Sequence, residues 1–516
     1  MNKKSSSKAA AVIEIDTAHV RMRVAQVSKG AVADLDSLEY PVYLGHDVFD
    51  NGQISFDSLR DLSSALEKFT QALASYGIQK PRVISCTALR EAKNRSLVLD
   101  QLRVRNGLEV TVLGESQEKA YLFADILSKL RQAGCLPGGN TALCTVGSGS
   151  IGIAIYDGAK IVYFQNISMG AMKLHDILRN MHHAAEDLHV VVEEYLSTIL
   201  NRIAFGEFSV SNLVIAGSQT ELIARLCGAK ETGGVHQLST RSVKDLYKAL
   251  RSLSPESISA RYAIPEESAA VLYSSLAIYR AMLRFCPGTE LVYSPTTDIS
   301  GAVLRCSLLP KVEAARDEMI RGSALACAET TARRFGCDLT HSAYLRAISV
   351  LIFDKLRKVH GLDPSKRLVL ELAAVLHSCG SFVSARRHNR CTFDLIKGMD
   401  LFGLSQQEVL ETAFVAGSVA GGLAAQEDPE LAGLSVKERI VVSKLAAIFG
   451  LANALDKAHR QKLTDLKVSV EDDRVVFKAS ASGDTLLEQW AFGEAAQLFK
   501  DVFGLSPELT VRFKLM

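Results

Sequence analysis

The sequence predicts an α/β fold over residues 1–310, an all-α domain over 311–457 and a small α/β domain over 458–516. In the first part, short apolar runs of strand length alternate with longer stretches whose apolar residues recur every three or four positions. From about Leu308, helical stretches follow one another without strands between them. After Leu466 the order changes to strand, strand, helix, strand. A length of 516 residues also suggests roughly three or four domains.

The first α/β unit, residues 1–135, opens with two strands, Ala10–Ile15 and Val20–Val27, which are joined by a tight turn at Asp16–His19. A segment that contains glycine and proline, Cys135–Gly139, marks the end of this unit. The apolar spacing between these two points predicts, in order, helix Leu59–Tyr76, strand Arg82–Cys86, helix Arg95–Val104, strand Glu109–Leu113 and helix Glu118–Leu130.

The second α/β unit, residues 136–310, restarts the same pattern. It too opens with a strand, a turn and a strand, and we interpret the two units as consecutive copies of one arrangement. Its predicted elements are strand Thr141–Val146, glycine turn Gly147–Gly149, strands Ile151–Tyr156 and Lys160–Ile167, helices around Leu174–Leu200, and strand Leu213–Ala216, which ends in Gly217-Ser218.

The remainder of the chain is predicted as helices followed by a small mixed domain. The predicted helices are Val312–Phe335, Ser342–His360, Lys366–His377, Thr392–Lys397, Ser405–Val419 and Val436–Lys457. The predicted elements of the last domain are strands Leu466–Val470 and Arg474–Ala479, helix Leu486–Val502 and strand Glu508–Lys514.

Composition excludes several classes of protein. Lys and Arg number 59 and Asp and Glu number 57, so the formal net charge of +2 gives no global reason to expect a specific nucleic-acid partner or an acidic membrane. No segment offers ~18 consecutive apolar residues. The ten cysteines are scattered without a CxxC pair, as is typical of a reduced compartment. We interpret residues 1–8 as a tail rather than a signal peptide and expect a cytoplasmic protein.

The chief chemical feature is the loop Thr145–Ser150 between two strands. Its glycines let backbone N–H groups approach an anion closely, and Ser148 and Ser150 add hydroxyl donors. Such a loop on its own is also typical of an ordinary hairpin turn. The turns at Asp16–His19 and Ala216–Ser218 follow strands in the same arrangement, and together they predict a cleft for a phosphate chain.

Several further stretches follow one another in a specific order. They are Ser85–Asn94, Leu108–Leu113 with Gln117–Ala120, Thr145–Ser150, Ser168–Leu174, Ala216–Thr220 and Leu451–Gln461. Their order resembles that of the exopolyphosphatase and guanosine pentaphosphate phosphohydrolase family (Ppx/GppA) of the actin-like ATPase superfamily. The resemblance implies two actin-like (ribonuclease-H-like) lobes, an HD-like helical domain, a homodimer, and polyphosphate or guanosine polyphosphate as ligand. His341, His377 and His388 resemble remnants of the HD site, but Ser378 replaces its aspartate, and we interpret each of the three as a structural histidine.

The same resemblance implies that the hydrolytic residues have been lost. The family's catalytic base falls on Lys119, and an ammonium is a poor base at neutral pH. The adjacent Glu118 lies one residue away, a rotation of ~100° on a helix, and could equally be a solvated carboxylate of the first turn. Two further acidic positions of the family fall on Thr145 and Gly152. Glu14 is the one remaining candidate ligand for a cation, and it would form a weak site.

The phosphate-binding residues, by contrast, are largely present. Arg90 holds the position of the family's phosphate-contacting arginine, although on the residues alone a surface ion pair with Glu91 or a neighbour would explain it. The expected phosphate-binding residues are Arg90, Gly147, Ser148, Gly149, Ser150, Gly217 and Ser218.

Three hypotheses follow from these residues. The favoured one is a protein that binds phosphate, polyphosphate or guanosine polyphosphate with little or no hydrolysis and without a cofactor. The second is an active hydrolase of phosphoanhydride bonds. It would bind Mg²⁺ or Mn²⁺ at Glu14, use Glu118 or Glu115 as the base, and contact the phosphate through Arg90. The third is a structural or partner-binding scaffold.

Overall fold

The computed structural model describes residues 9–28, 31–181, 188–201, 203, 208–417 and 429–513. The tail at residues 1–8 and parts of three predicted elements, at 182–187, 418–419 and 514, lie outside the described residues. The chain divides into two compact units, Met1–Ile320 and Arg321–Met516. Among the described residues, no helix has the length and apolarity that crossing a membrane requires.

The first sheet has five strands in the order β3-β2-β1-β4-β5. Strands β1 to β3 are antiparallel neighbours, whereas β4 and β5 run parallel to β1. The turn between β1 and β2 is closed by the Asp16 N–H, which donates to the His19 carbonyl at 2.9 Å. The strands are β1 Ala9–Ile15, β2 His19–Ser28, β3 Ala31–Pro41, β4 Arg82–Ser85 and β5 Val110–Val112, and the helices are α1 Leu44–Asn51, α2 Phe56–Ser75, α3 Thr87–Glu91, α4 Arg95–Asn106 and α5 Glu115–Gln132.

The second sheet has seven strands in the order β10-β11-β12-β9-β6-β7-β8. Its strands are β6 Thr141–Val146, β7 Ile151–Tyr156, β8 Ile161–Ile167, β9 Asn212–Gly217, β10 Lys230–Thr232, β11 Val235–Ser239 and β12 Leu291–Pro295. The order β8-β7-β6-β9-β12 repeats that of the first sheet, three antiparallel strands followed by two parallel ones, and β10 and β11 extend it. The unit therefore contains one topology twice.

Burial explains why the central strands of the second sheet have long apolar runs. Every residue of β6 and of β7 is buried, because helices cover both faces of the sheet. The helices of this part are α6 Ala171–Met181, α7 Leu188–Leu200, α8 Thr220–Leu226, α9 Thr240–Leu250, α10 Pro255–Tyr262, α11 Glu266–Met282 and α12 Ile299–Leu308, with a short 3-10 helix at Leu283–Phe285, and α13 Pro310–Arg334 follows.

The second unit consists of helices and a small sheet. Strand β13 is antiparallel to β14, and β14 is parallel to β15 through a helical crossover. The elements are α14 Leu339–Lys355, α15 Arg357–His360, α16 Lys366–Leu376, a 3-10 helix at Cys379–Phe382, α17 His388–Lys397, α18 Gln406–Gly417, α19 Pro429–Ala432, α20 Val436–Ala454, β13 Leu463–Val470, β14 Arg474–Ala481, α21 Leu486–Phe503 and β15 Ser506–Phe513.

The predicted fold class, two α/β units followed by helices and a small α/β domain, is confirmed. The sequence analysis assigned no strand at β3 or at β10 to β12. It also started the helix α5 three residues late, at Glu118 instead of Glu115. The finer domain boundaries at 135/136, 310/311 and 457/458 stay predictions.

Candidate functional site

The glycine loop Gly147–Ser150 lies at the carboxyl end of β6. The Gly147 N–H donates to the Ser150 carbonyl at 2.9 Å, which closes the hairpin, and the Ala171 N–H donates to the Gly147 carbonyl at 2.9 Å. Helix α6 therefore starts directly beneath the loop. Within the described parts of the chain, no carbonyl accepts from the N–H of Ser148 or of Gly149. Ser148 is partly exposed and Gly149 is buried, and the binding of an anion by these two amides stays a prediction.

The loop faces the first α/β half across short contacts. The Thr17 hydroxyl, in the turn between β1 and β2, donates to Ser148 Oγ at 3.4 Å. A Cβ placed on Gly149 would lie 2.8 Å from the Thr87 methyl group of α3, so glycine is needed for this approach. Lys173 Nζ, on α6, lies 3.1 Å from Glu91 Oε1. The two turns predicted to line one cleft are thus in contact.

Arg90 on α3 contacts Glu118 on α5 rather than Glu91. Its Nη1 donates to Glu118 Oε2 at 3.0 Å and to the Leu113 carbonyl at 3.0 Å, and its Nη2 lies 3.7 Å from Glu115 Oε1. An ion pair is present, as the residues alone suggest, but it is made with Glu118 instead of Glu91, and the guanidinium points inward to a buried carboxylate.

Glu118 is held between two cations. Its other oxygen, Oε1, accepts from Lys119 Nζ at 2.9 Å. Burial by itself would raise the pKa of Glu118, but the charges of Lys119 and Arg90 and the hydrogen bonds from both lower it to about 2. The interpretation of Glu118 as a solvated carboxylate is therefore wrong. It is the internal counter-ion of both cations.

Lys119 is only 1% exposed and is among the largest fully buried side chains of the described residues. Its stem passes over Gly152 of β7, where an added Cβ would lie 2.8 Å from Lys119 Cγ and Cδ. Its ammonium reaches the glycine loop, since a Cβ placed on Gly147 would be 3.6 Å from Nζ. Thr145, opposite Gly152 in the ladder, donates its hydroxyl to the Gly152 carbonyl at 3.4 Å. The lysine stem thus fills the space above a residue that has no side chain.

Glu14, the predicted cation ligand, lies on β1 and is buried, and its Oε2 has no hydrogen-bond partner. Burial, then the neighbouring charges of Asp16 and Asp298, raise its pKa to about 8. Asp298 caps helix α12 and is paired with Arg23 at 2.9 Å. In the described residues, no group of three or more His, Cys, Asp or Glu side chains is placed to hold a metal ion. A hard divalent cation needs several oxygen ligands, so Glu14 by itself would form only a weak site.

Gly217 and Ser218 lie at the same sheet edge as the glycine loop, because Val146 of β6 pairs with Gly217 of β9. A Cβ on Gly217 would lie 2.3 Å from the Val146 carbonyl oxygen, and its φ is +152°. Glycine is therefore required there by the fold itself, with or without a ligand.

Ser218 is exposed and lines a cavity of about 620 Å³. Arg225 contributes a guanidinium group and His236 an imidazole ring to this cavity, and Ile264 and Pro265 contribute apolar surface. The cavity was not predicted from the sequence, because its walls come from two separate segments, residues 218–236 and 264–268.

In the second unit, His341 and His377 lie together, with ring centroids 5.1 Å apart. His377 Nδ1 is 3.0 Å from the Ala374 carbonyl, and His341 Nδ1 is 2.8 Å from Asp456 Oδ2. Burial and the neighbouring His341 lower the pKa of His377 to about 3. Asp456 was missed, although it lies within the stretch Leu451–Gln461. The interpretation of His341 and His377 as structural histidines stays a prediction.

Comparison with known proteins places these features in a family. The model of the Ppx/GppA phosphatase family matches residues 23–298, and that of Ppx/GppA phosphatase domain III matches residues 324–492. Among curated proteins, a guanosine-5'-triphosphate,3'-diphosphate pyrophosphatase of Vibrio atlanticus (strain LGP32) is 19% identical over 409 residues, 77% of this chain and 78% of that protein.

Solved structures show the same fold. The crystal structure of the Aquifex aeolicus member of the Ppx/GppA family is 19% identical, covers 59% of this chain and 98% of its own, and has a TM-score of 0.51. An exopolyphosphatase from Cytophaga hutchinsonii is 18% identical, covers 58% of this chain and 98% of its own, and also has a TM-score of 0.51.

Proposed function

The chain belongs to the Ppx/GppA phosphatase family, and from this premise we propose that it binds a chain of phosphates with little or no hydrolysis. The observation that carries the proposal is the buried group of Arg90, Glu118 and Lys119 beside the glycine loop. This group offers cations that can bind anionic oxygen, but it offers no side chain that can act as a base.

The base is the first missing part. Lys119 occupies the position that resembles the family's catalytic glutamate, and its ammonium carries no lone pair. Glu118 is the nearest carboxylate, but a pKa of about 2 makes it a weak proton acceptor at neutral pH. Both of its oxygens also accept hydrogen bonds from cations, which stabilise the ionised carboxylate and weaken it as a base.

The cation site is the second missing part. Thr145 and Gly152 stand at two positions where the family resemblance implies acidic residues. The Lys119 stem lies over Gly152, and its ammonium reaches the glycine loop at Gly147. Glu14 retains one unpartnered carboxylate oxygen, which is fewer than a divalent cation needs. We therefore derive no metal-dependent step for this chain.

The binding groups support the proposal. Arg90 and Lys119 carry two positive charges; Glu118 pairs with both, and Glu115 lies 3.7 Å from Arg90. The amides of Ser148 and Gly149, which no carbonyl of the described residues engages, belong to the loop that the Lys119 ammonium reaches. A phosphate could accept from the guanidinium and these amides together, because guanidinium donors match phosphate oxygens.

Among the candidate ligands, the cavity beside Ser218 favours a guanosine polyphosphate over inorganic polyphosphate. Its volume of about 620 Å³ is within the usual range for small-molecule sites, roughly 300–1,000 Å³, and suits a nucleoside. Ser218 lines it and directly follows Gly217, which pairs with Val146 before the glycine loop, so we place one ligand across both. A polyphosphate chain has no part that needs an apolar wall such as Ile264.

Calorimetric titration with inorganic phosphate, polyphosphate and guanosine pentaphosphate tests the binding. We expect Arg90→Ala to weaken binding about tenfold or more, since a charge-assisted hydrogen bond contributes roughly 1.5–3 kcal/mol. Arg103→Ala is the matched control, because Arg103 is an exposed arginine on α4. Arg225→Ala should weaken only the guanosine ligand. Absence of heat with all three ligands would refute the proposal and favour a scaffold.

Phosphate release with Mg²⁺ or Mn²⁺ tests the missing hydrolysis. We expect no more than trace release from polyphosphate or guanosine pentaphosphate. Steady turnover that is lost in Glu118→Gln or Glu115→Gln would instead establish the active phosphatase. Release that rises in Lys119→Glu would support the position assigned to the base. The homodimer and the cytoplasmic location stay predictions.

A further inference from the structure

Two cysteine thiols of the second unit lie side by side. Cys337 lies in the connection between α13 and α14, and Cys379 opens the 3-10 helix after α16. Their sulfur atoms are 3.5 Å apart although they are 42 positions apart in sequence. We propose that Cys337 and Cys379 form a reversible disulfide that makes this unit sensitive to oxidants.

The geometry permits the bond with little movement. A disulfide has its sulfurs about 2.05 Å apart, so the two atoms must approach by about 1.5 Å. Neither cysteine is in the middle of a long helix, and Cys337 is only partly buried, so its side chain has room to turn. Phe335 and Phe382 pack edge to face with ring centroids 5.6 Å apart, which holds the same two connections together.

The two thiols also differ in exposure and in pKa, as stepwise oxidation requires. Cys337 is partly exposed, and the hydrogen bond from the Cys379 thiol lowers the pKa of Cys337 to about 7. Cys379 is wholly buried, with 0% exposure. Cys337 is thus the thiol that an oxidant reaches as a thiolate, and Cys379 is the resolving thiol.

The chemistry balances with a peroxide as the two-electron oxidant. The Cys337 thiolate attacks one peroxide oxygen, the O–O bond breaks, and hydrogen peroxide releases one water after protonation while Cys337 becomes a sulfenic acid. The Cys379 sulfur then attacks the sulfenic sulfur, the S–O bond breaks, and its oxygen leaves as a second water. A dithiol restores both thiols by exchange through a mixed disulfide.

The disulfide would act on the pair His341 and His377, because Cys337 and Cys379 are close in sequence to the residues that position these two rings. Asp338 follows Cys337, and its carboxylate accepts from the N–H groups of Thr340 and His341 at the start of α14. His377 lies two residues before Cys379 and packs against His341. When the two sulfurs approach each other, the segment before His341 and the segment after His377 therefore both shift.

Peptide mapping of the full-length protein after mild hydrogen peroxide treatment tests the proposal. We expect two of the ten thiols to be lost, a cross-linked Cys337–Cys379 peptide, and full recovery with dithiothreitol. Cys337→Ser should abolish the cross-link. Cys391→Ser, the control at another partly buried cysteine of this unit, should leave it unchanged. A Cys337 sulfinic acid without the cross-linked peptide, or a cross-link to a different cysteine, would overturn the proposal.

A second readout uses wild-type protein and no variant that could misfold. The unfolding midpoint of the second unit can be followed through Trp490, the single tryptophan of the chain. We expect peroxide to raise this midpoint and dithiothreitol to return it, because a cross-link constrains the unfolded state. A midpoint that peroxide leaves unchanged or lowers in wild-type protein would count against a disulfide at this place.

Discussion

Gly152→Ala probes the packing on which the proposed loss of catalysis depends. The backbone of Gly152 lies outside the left-handed region, so the substitution itself introduces no backbone strain. Its new Cβ would lie 2.8 Å from Lys119 Cγ and Cδ and 2.7 Å from Thr145 Oγ1. The lysine stem cannot move away freely, because its ammonium is held by Glu118 at 2.9 Å.

We expect Gly152→Ala to lower the free energy of unfolding of the first unit by about 1–3 kcal/mol, the usual cost of overpacking a core. The cost should persist in the Lys119→Met background, where a stem of similar length remains without the charge. It should fall by about 1 kcal/mol or more in the Lys119→Ala background, where Cγ and Cδ are gone.

Native-state hydrogen exchange of peptides from β6, β7 and α5 measures this free energy locally. Fluorescence would not serve, since Trp490 lies in the other unit. The reasoning is refuted if Gly152→Ala costs the same in the wild-type and Lys119→Ala backgrounds to within about 0.5 kcal/mol, the margin for independent sites.

Three further predictions concern other parts of the chain. Glu118→Gln should strengthen phosphate binding about tenfold by calorimetry, because it removes the internal counter-ion of two cations; equal or weaker binding would contradict this. Lowering the pH from 7 to 5 should cost the second unit about 2 kcal/mol in urea unfolding followed by fluorescence. The unfolded state protonates His377 near 6.5 whereas the folded state does so only near 3, and this part of the pH dependence should disappear in His377→Gln. The part due to His360 and His459, whose pKa values burial also lowers, should remain. Gly217→Ala should destabilise the second sheet far more than Gly138→Ala in calorimetric melting, because only the former places a Cβ 2.3 Å from the Val146 carbonyl oxygen; similar melting temperatures would contradict this.

Strand β3 shows where sequence reasoning about the fold failed. Residues 31–41 include Asp34, Asp36 and Glu39, and most of them are exposed in an edge strand. An edge strand needs no continuous apolar pattern, and charges protect it from aggregation, so its sequence is similar to that of a loop. Strands β6 and β7, by contrast, are buried on both faces and were predicted at their observed bounds.

In the candidate site, too, some features could be predicted from the sequence and others could not. The glycine loop and the position of Arg90 were predicted because they lie in short continuous motifs. The partner of Arg90 was not, since Glu118 is 28 positions away and reaches it only through the packing of α3 against α5. Asp298, which contributes to the raised pKa of Glu14, comes from more than 280 positions further along the chain.

The order of helices and strands could be read from the sequence, because apolar periodicity is a local property of a chain. The short motif around Lys119 is local too, and from it we predict that this lysine stands at the position of the family's base. Tertiary structure alone decided that the Lys119 stem fills the space over Gly152, that Glu118 neutralises two cations, and that two distant thiols meet. These facts depend on which segments pack together, and packing is set by the whole core rather than by any one stretch of residues.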